Sequence, residues 1–166
     1  YLLGTLTPST GKVNFNGTTT QTIPVGMSAV TYNNLTINNT STAGATLSNA
    51  AITASNVTGN LSVGDVTTGS TLDNGGYAIT LATGKTLTVA NGSTLRLSGT
   101  STMATAPGGK TFGATSTVNY CGSNQTVTDE TYGHLILSGS GVKTMPTATT
   151  TVAGNFTSAG TVSATA

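Results

Sequence analysis

The sequence predicts an all-β chain, and three observations carry that prediction. No window keeps the apolar spacing of a helix, because Gly, Thr, Ser and Asn interrupt every candidate. Short apolar–polar alternations recur along the whole length, separated by corners rich in Gly, Asn and Ser. The segment 13–63 is also written again, more loosely, at 118–158. Val13-Asn14-Phe15 returns as Val118-Asn119-Tyr120, and Gln21-Thr22-Ile23 as Gln125-Thr126-Val127. Tyr32-Asn33-Asn34-Leu35-Thr36-Ile37 returns as Tyr132-Gly133-His134-Leu135-Ile136-Leu137, and Val57-Thr58-Gly59-Asn60-Leu61 as Val152-Ala153-Gly154-Asn155-Phe156. The apolar positions persist while the polar ones drift, which marks a duplicated structural unit.

Taken in order, residues 1–12 open on Tyr1-Leu2-Leu3, the most apolar stretch at either end. They lie outside the duplicated unit and are expected to form an N-terminal strand available to another subunit. Residues 13–166 form the β-repeat domain. Strands are expected at 13–15, 30–37, 61–63, 77–81, 86–89, 94–97, 115–120, 134–137 and 150–156, where large apolar side chains alternate with Thr, Asn or Ser. Corners fall at Asn16-Gly17, Asp73-Asn74-Gly75-Gly76, Asn91-Gly92, Pro107-Gly108-Gly109 and Ser138-Gly139-Ser140-Gly141. Residues 161–166 read as a last strand with no cap after it.

In the middle, Ile79/Leu81, Leu87/Val89, Leu95/Leu97 and Met103 follow one another at intervals of about eight residues. Two architectures give this period: a β-solenoid (parallel β-helix) of short Thr/Asn/Gly-rich strands, or one or more antiparallel β-sandwiches. A two-residue hairpin at Asn91-Gly92 would turn Leu95 and Leu97 away from Leu87 and Val89, wasting half the apolar set. A three-residue loop or a coil that always turns the same way removes the conflict, and the period does not choose between them. The incomplete second copy favours the solenoid, because a sandwich stopped halfway leaves an open edge whereas a solenoid accepts any number of coils. Three sides of about eight residues give roughly seven stacked coils and a rod of roughly 30–35 Å. The sandwich remains the alternative.

Composition limits the functions open to the chain. Only 5% of residues are charged and the net charge is +1. Lys12, Lys85, Arg96, Lys110 and Lys143 stand singly, so no basic stripe suits a nucleic acid. Thr supplies 39 of the 166 residues, so hydroxyls and amides must carry solubility. Cys121 is the single cysteine; it permits no internal disulfide and takes the place of Asn16, as a small buried or half-buried side chain. No apolar run approaches a membrane span. The chain opens at Tyr1, as expected of a processed product or a piece of a longer protein.

Reactive groups are scarce. Asp65, Asp73, Asp129 and Glu130 are the only acids and His134 the only imidazole, so no catalytic, metal-binding or cofactor-binding site is assigned and no enzyme is expected. His134 takes the position of Asn34 in the first copy and is expected to fill an outward position. Asp73-Asn74-Gly75-Gly76 is ordinary turn chemistry, not one of a series of calcium-binding turns. Thr-x-Thr pairs, as at Thr86/Thr88, are too irregular to form one column per coil. A Lys–Asn cross-link would need a buried acid beside Lys12 or Lys143, and nothing in the sequence supplies one.

Runs such as Gly84-Lys85-Thr86-Leu87-Thr88-Val89-Ala90-Asn91-Gly92-Ser93-Thr94-Leu95 and Asn33-Asn34-Leu35-Thr36-Ile37-Asn38-Asn39 resemble the coils of bacterial surface β-helix proteins, filamentous-haemagglutinin-like and autotransporter-type adhesins among them. The resemblance is one of texture over most of the chain. It implies an extracellular or cell-surface location and an adhesive or scaffolding role, and brings no site residue with it. The expected function is therefore that of an extracellular filament subunit or adhesin stalk segment. Its partners are copies of itself, head to tail, with Tyr1, Leu2 and Leu3 of one subunit adding to Thr161, Val162 and Ser163 of the next. A module that binds surface glycans or ice through a Thr/Asn/Tyr face is the alternative.

Overall fold

A computed structural model describes residues 5–6, 9–27, 30–65 and 69–164. Its strands, in chain order, are β1 (Lys12–Phe15), β2 (Gln21–Pro24), β3 (Asn34–Ile37), β4 (Ala45–Ser48), β5 (Leu61–Val63), β6 (Thr71–Asp73), β7 (Leu87–Val89), β8 (Thr94–Leu97) and β9 (Lys110–Phe112). They continue with β10 (Thr117–Tyr120), β11 (Gln125–Thr126), β12 (Thr131–Tyr132), β13 (His134–Leu137), β14 (Val142–Met145), β15 (Thr151–Val152), β16 (Phe156–Ser158) and β17 (Thr161–Ala164). All pairings among them are parallel, and none joins strands adjacent in sequence. That removes the antiparallel sandwich, whose hairpins pair sequence neighbours. The chain is a β-solenoid.

Three faces build it. The first carries β1-β3-β5-β7-β9, and the second β2-β4-β6-β8-β10-β13-β16. The third begins as single bridges (Leu6–Val30, Tyr32–Val57, Ile52–Ile79, Thr80–Thr105) and ends as β11-β14-β17. Seven strands on the second face are separated by six steps, which is about six turns and roughly 29 Å at 4.7–4.9 Å per step. The eight-residue period is the length of one side. Ile79/Leu81, Leu87/Val89 and Leu95/Leu97 lie on three successive sides, all buried. The Asn91-Gly92 corner accordingly turns the chain onward, with Gly92 in the left-handed region at φ 72°.

Inward side chains stack in columns because parallel strands pair in register. On the second face Ala45, Leu72, Leu95, Val118 and Leu135 follow one another, each fully buried. On the first, Leu35, Leu61 and Leu87 do the same. Strands β2, β4, β6, β9 and β14 exceed the sequence expectation. Each carries only one or two large apolar residues, so its extended form comes from the ladders beside it more than from its own propensity. Conversely, 77–81 supplies only the bridges at Ile79 and Thr80.

Corner asparagines extend the ladders sideways. The Asn60 N–H donates to Asn34 Oδ1 (3.0 Å), the Thr86 N–H to Asn60 Oδ1 (3.0 Å) and the Thr115 N–H to Asn91 Oδ1 (3.1 Å). Ser98 N–H to Asn74 Oδ1 (2.7 Å) and Val142 N–H to Asn124 Oδ1 (2.8 Å) repeat the device. A side-chain carbonyl on one coil thus satisfies a corner amide on the next, where no backbone partner is in line. At Gly122 the stacked corners come so close that a Cβ would overlap the carbonyl oxygen of Gly99.

The duplicated segments occupy different faces. Val13-Asn14-Phe15 forms β1 on the first face, whereas Val118-Asn119-Tyr120 forms β10 on the second. Gln21-Thr22-Ile23 lies on the second face and Gln125-Thr126 on the third. Local structure is nonetheless preserved: Gln21 Oε1 accepts from the Gly17 N–H (2.8 Å), and Gln125 Oε1 from the Gly122 N–H (2.9 Å). The second copy is the first one advanced by one side around the axis. Coils shorten where this happens. Lys12 to Asn34 is 22 residues and Ala45 to Leu72 is 27, but Thr117 to His134 is 17 and Leu135 to Phe156 is 21.

The first-face ladder breaks at the same level. Lys110, in register with Leu87, sets an ammonium at the end of a leucine column and pairs with Glu130 at 2.9 Å. Above it Phe112 stacks on Tyr132, ring centroids 5.6 Å apart. The Tyr132 hydroxyl donates to Thr128 O (2.7 Å) and lies 3.1 Å from the Tyr120 hydroxyl, which accepts from the Thr128 N–H. Burial pushes the Tyr132 phenol far above its ordinary pKa, and neighbouring Tyr120 adds to the shift.

Candidate functional site

The two ends of the stack are where side chains built for the core meet solvent. At the C-terminal end β15, β16 and β17 are each paired on one side only, among the described residues. Phe156 continues the second-face column above Leu135, yet it is 50% exposed while Leu135 is fully buried. Val162 stands over Lys143 in the same inward sense and is 39% exposed. Alternation puts Thr161 and Ser163 on the outward side of β17. Of the residues expected to form the subunit contact, Thr161, Val162 and Ser163 therefore lie on an edge strand. Tyr1, Leu2 and Leu3 lie outside the described residues.

At the N-terminal end the core opens into a hollow of about 900 Å³ lined by Leu6, Val13, Phe15, Pro24, Met27 and Tyr32, with Thr22 and Asn49 at its rim. Met27 is 44% exposed. Phe15 meets Tyr32 edge to face at 6.2 Å, and the Tyr32 hydroxyl donates to Pro24 O (2.9 Å). Burial pushes the Tyr32 phenol up to about 12. Along this end β1 and β2 each offer one edge with no strand on it among the described residues.

Asp73, Asp65, Cys121 and His134 are all engaged in structural contacts. Asp73 Oδ1 accepts from the Gly75 N–H and the Ser98 hydroxyl, and its Oδ2 lies 3.5 Å from Arg96. Asp65 accepts from Asn38 Nδ2 (2.7 Å). Cys121 is half-buried, its sulfur 3.5 Å from Ser98 Oγ and 3.6 Å from Leu97 O. No group of three metal-type ligands gathers among the described residues. His134 is more than outward filler: its Nδ1 accepts from the Asn155 N–H at 2.8 Å, as Asn34 Oδ1 accepts from Asn60 in the first copy. An imidazole has replaced an amide in the same corner device.

Lys143 is the feature that sequence reasoning missed. It is 1% exposed, and its ammonium donates to the backbone carbonyls of Ser123 (2.7 Å), Ser140 (2.8 Å) and Gly122 (3.0 Å). Burial lowers its pKa, against a smaller opposite effect of Cys121. Register was the available signal, since Lys143 sits over the buried Gln125 and shares its parity with Met145. The cage ties the 121–124 corner to the one above it. No carboxylate lies within ion-pair distance of Lys143 among the described residues.

No helix among the described residues is long and apolar enough to cross a membrane. No family model, curated protein or solved structure matches the chain.

Proposed function

We propose that this chain is an extracellular structural protein, a filament subunit or stalk segment of a cell-surface adhesin, that assembles end to end by strand-edge pairing. The observation that carries the reading is Phe156. An inward column that is solvent-free at every level from Ala45 to Leu135 ends on a half-exposed phenylalanine. Edge strands carrying core residues form a template for another parallel strand. The hollow beneath Leu6, Val13 and Phe15 is the complementary end, and a contact between unlike ends propagates instead of closing. Few charges stand in the way.

Sedimentation velocity over a concentration series tests this. The wild-type chain is expected to grow with concentration, and Phe156→Lys, which puts a charge on the edge, to remain a monomer with an unchanged far-UV spectrum. A wild-type chain that stays monomeric at the highest concentration overturns the proposal.

A second reading has one observation in its favour. The outward side of the first face stacks Asn14, Thr36, Ser62, Thr88 and Thr111, and a shallow groove there is bounded by Lys12 and Asp65. A single hydroxyl column suits a surface glycan better than ice, because the positions two residues earlier (Lys12, Asn34, Asn60, Thr86) form no second threonine row. Glycan-array binding abolished by Ser62→Trp would favour this module over a purely structural role. Thermal hysteresis would favour the ice-binding form.

A further inference from the structure

The duplication supplies an internal template for how one copy sits on another. Strand β10 opens the second copy as β1 opens the first, and its lower edge is not free: β8 occupies it, with Val118 over Leu95 and Tyr120 over Leu97. The edge of β1 that corresponds to it is empty among the described residues. Through β10, β13 and β16 the same inward column runs from Val118 to Leu135 to Phe156. Resting on the end-to-end reading above, we infer that a second copy of this chain docks with the one-side advance seen inside the chain. β1 then lies on β16, Val13 over Phe156 and Asn14 over Thr157, so that each subunit is rotated by about a third of a turn from the last.

The levels of the strands lead to the same answer. Each coil climbs one strand spacing as it passes from third to first to second face, so β15, β16 and β17 form three ascending steps. Leu6, β1 and β2 form three more, starting from the third face. If the copies stack without rotation, Leu6 must rest on β17, the highest step, and a strand-wide gap opens on the other two faces. Advanced by one side, Leu6 rests on β15, β1 on β16 and β2 on β17, and all three ladders close together. The advance also seats Phe156 and Val162 beneath the hollow lined by Val13, Phe15 and Tyr32. The rise per subunit becomes about seven and a third strand spacings, roughly 35 Å.

Two double variants in a Cys121→Ser background separate the possible arrangements. All three introduced positions are exposed and outward. Thr157→Cys with Asn14→Cys places thiols opposite each other, about 4.8 Å apart along the ladder, if the advance occurs. Thr157→Cys with Thr22→Cys sets thiols one above the other if the copies stack in phase, because Thr22 and Thr157 belong to the same outward column; the strand-wide gap then leaves them about 9.6 Å apart, a span the reagent is chosen to reach. With a short bifunctional thiol reagent, the first variant is expected to give a ladder of covalent multimers and the second only monomer. A ladder from the second variant alone overturns the one-side advance while leaving end-to-end assembly intact. Filaments visible for both variants, with no ladder from either, also overturn it. Sedimentation as a monomer, with no ladder from either variant, removes the end-to-end reading and this inference with it.

Discussion

Leu95→Ala and Arg96→Ala change neighbouring residues of β8 and are expected to have opposite consequences. Leu95 is fully buried between Leu72 and Val118, both fully buried too. Truncation removes about three methylene equivalents at about 0.8 kcal/mol each, roughly 2.4 kcal/mol in all. The flanking strands are held by ladders on both sides and cannot close the space, so a cavity term brings the loss to about 4 kcal/mol. Arg96 points outward, its side chain 40% exposed with Asp73 at 3.5 Å. An ion pair of that kind contributes about 0–1 kcal/mol. Urea unfolding followed by far-UV circular dichroism reads both, with the slope checked for constancy. If Arg96→Ala costs as much as Leu95→Ala, or Leu95→Ala costs less than about 1.5 kcal/mol, the inward column is not what holds the stack.

Other expectations concern the corners, the phenols and the charges. His134→Asn restores the first-copy residue and is expected to leave stability within about 0.5 kcal/mol, whereas His134→Ala strands the Asn155 N–H and costs about 1 kcal/mol in the same urea assay. The folded-state pKa of Tyr32 lies above the unfolded value of 10.0, so the folded chain holds the extra proton between about pH 10 and 12. Its contribution is intact below pH 10 and is lost as pH rises through that window, by up to about 3 kcal/mol. Denaturant titrations at pH 9 and 11.5 should show the fall, and Tyr32→Phe should make it shallower, with buried Tyr132 accounting for what remains. With 5% charged residues, end-to-end assembly is expected to withstand 1 M salt, and dissociation by moderate salt in a sedimentation experiment would contradict that.

The elements most legible in the sequence were those whose own residues impose alternation. His134-Leu135-Ile136-Leu137 and Thr94-Leu95-Arg96-Leu97 appear as strands at the expected positions. The eight-residue period was readable because corners recur at that spacing, but its meaning depended on turn sense, which lies in backbone dihedrals such as that of Gly92. The advance of the second copy by one side was not readable. A repeat in sequence preserves neighbours along the chain, whereas face assignment depends on the summed lengths of all the sides in between. The burial of Lys143 was hidden for a related reason: the three carbonyls that hold it come from two corners and become its partners only when the coils stack. At the ends, the alternation in Thr161-Val162-Ser163 marks a strand, while the exposure of Phe156 depends on its place at the top of a buried column.

Electron microscopy of the 166-residue protein at high concentration bears most directly on whether bare strand edges determine its behaviour. Unbranched filaments one solenoid wide, with an axial subunit repeat of roughly 35 Å, are expected from strand-on-strand stacking. A field of separate particles about six turns long, unchanged as concentration rises, would contradict it.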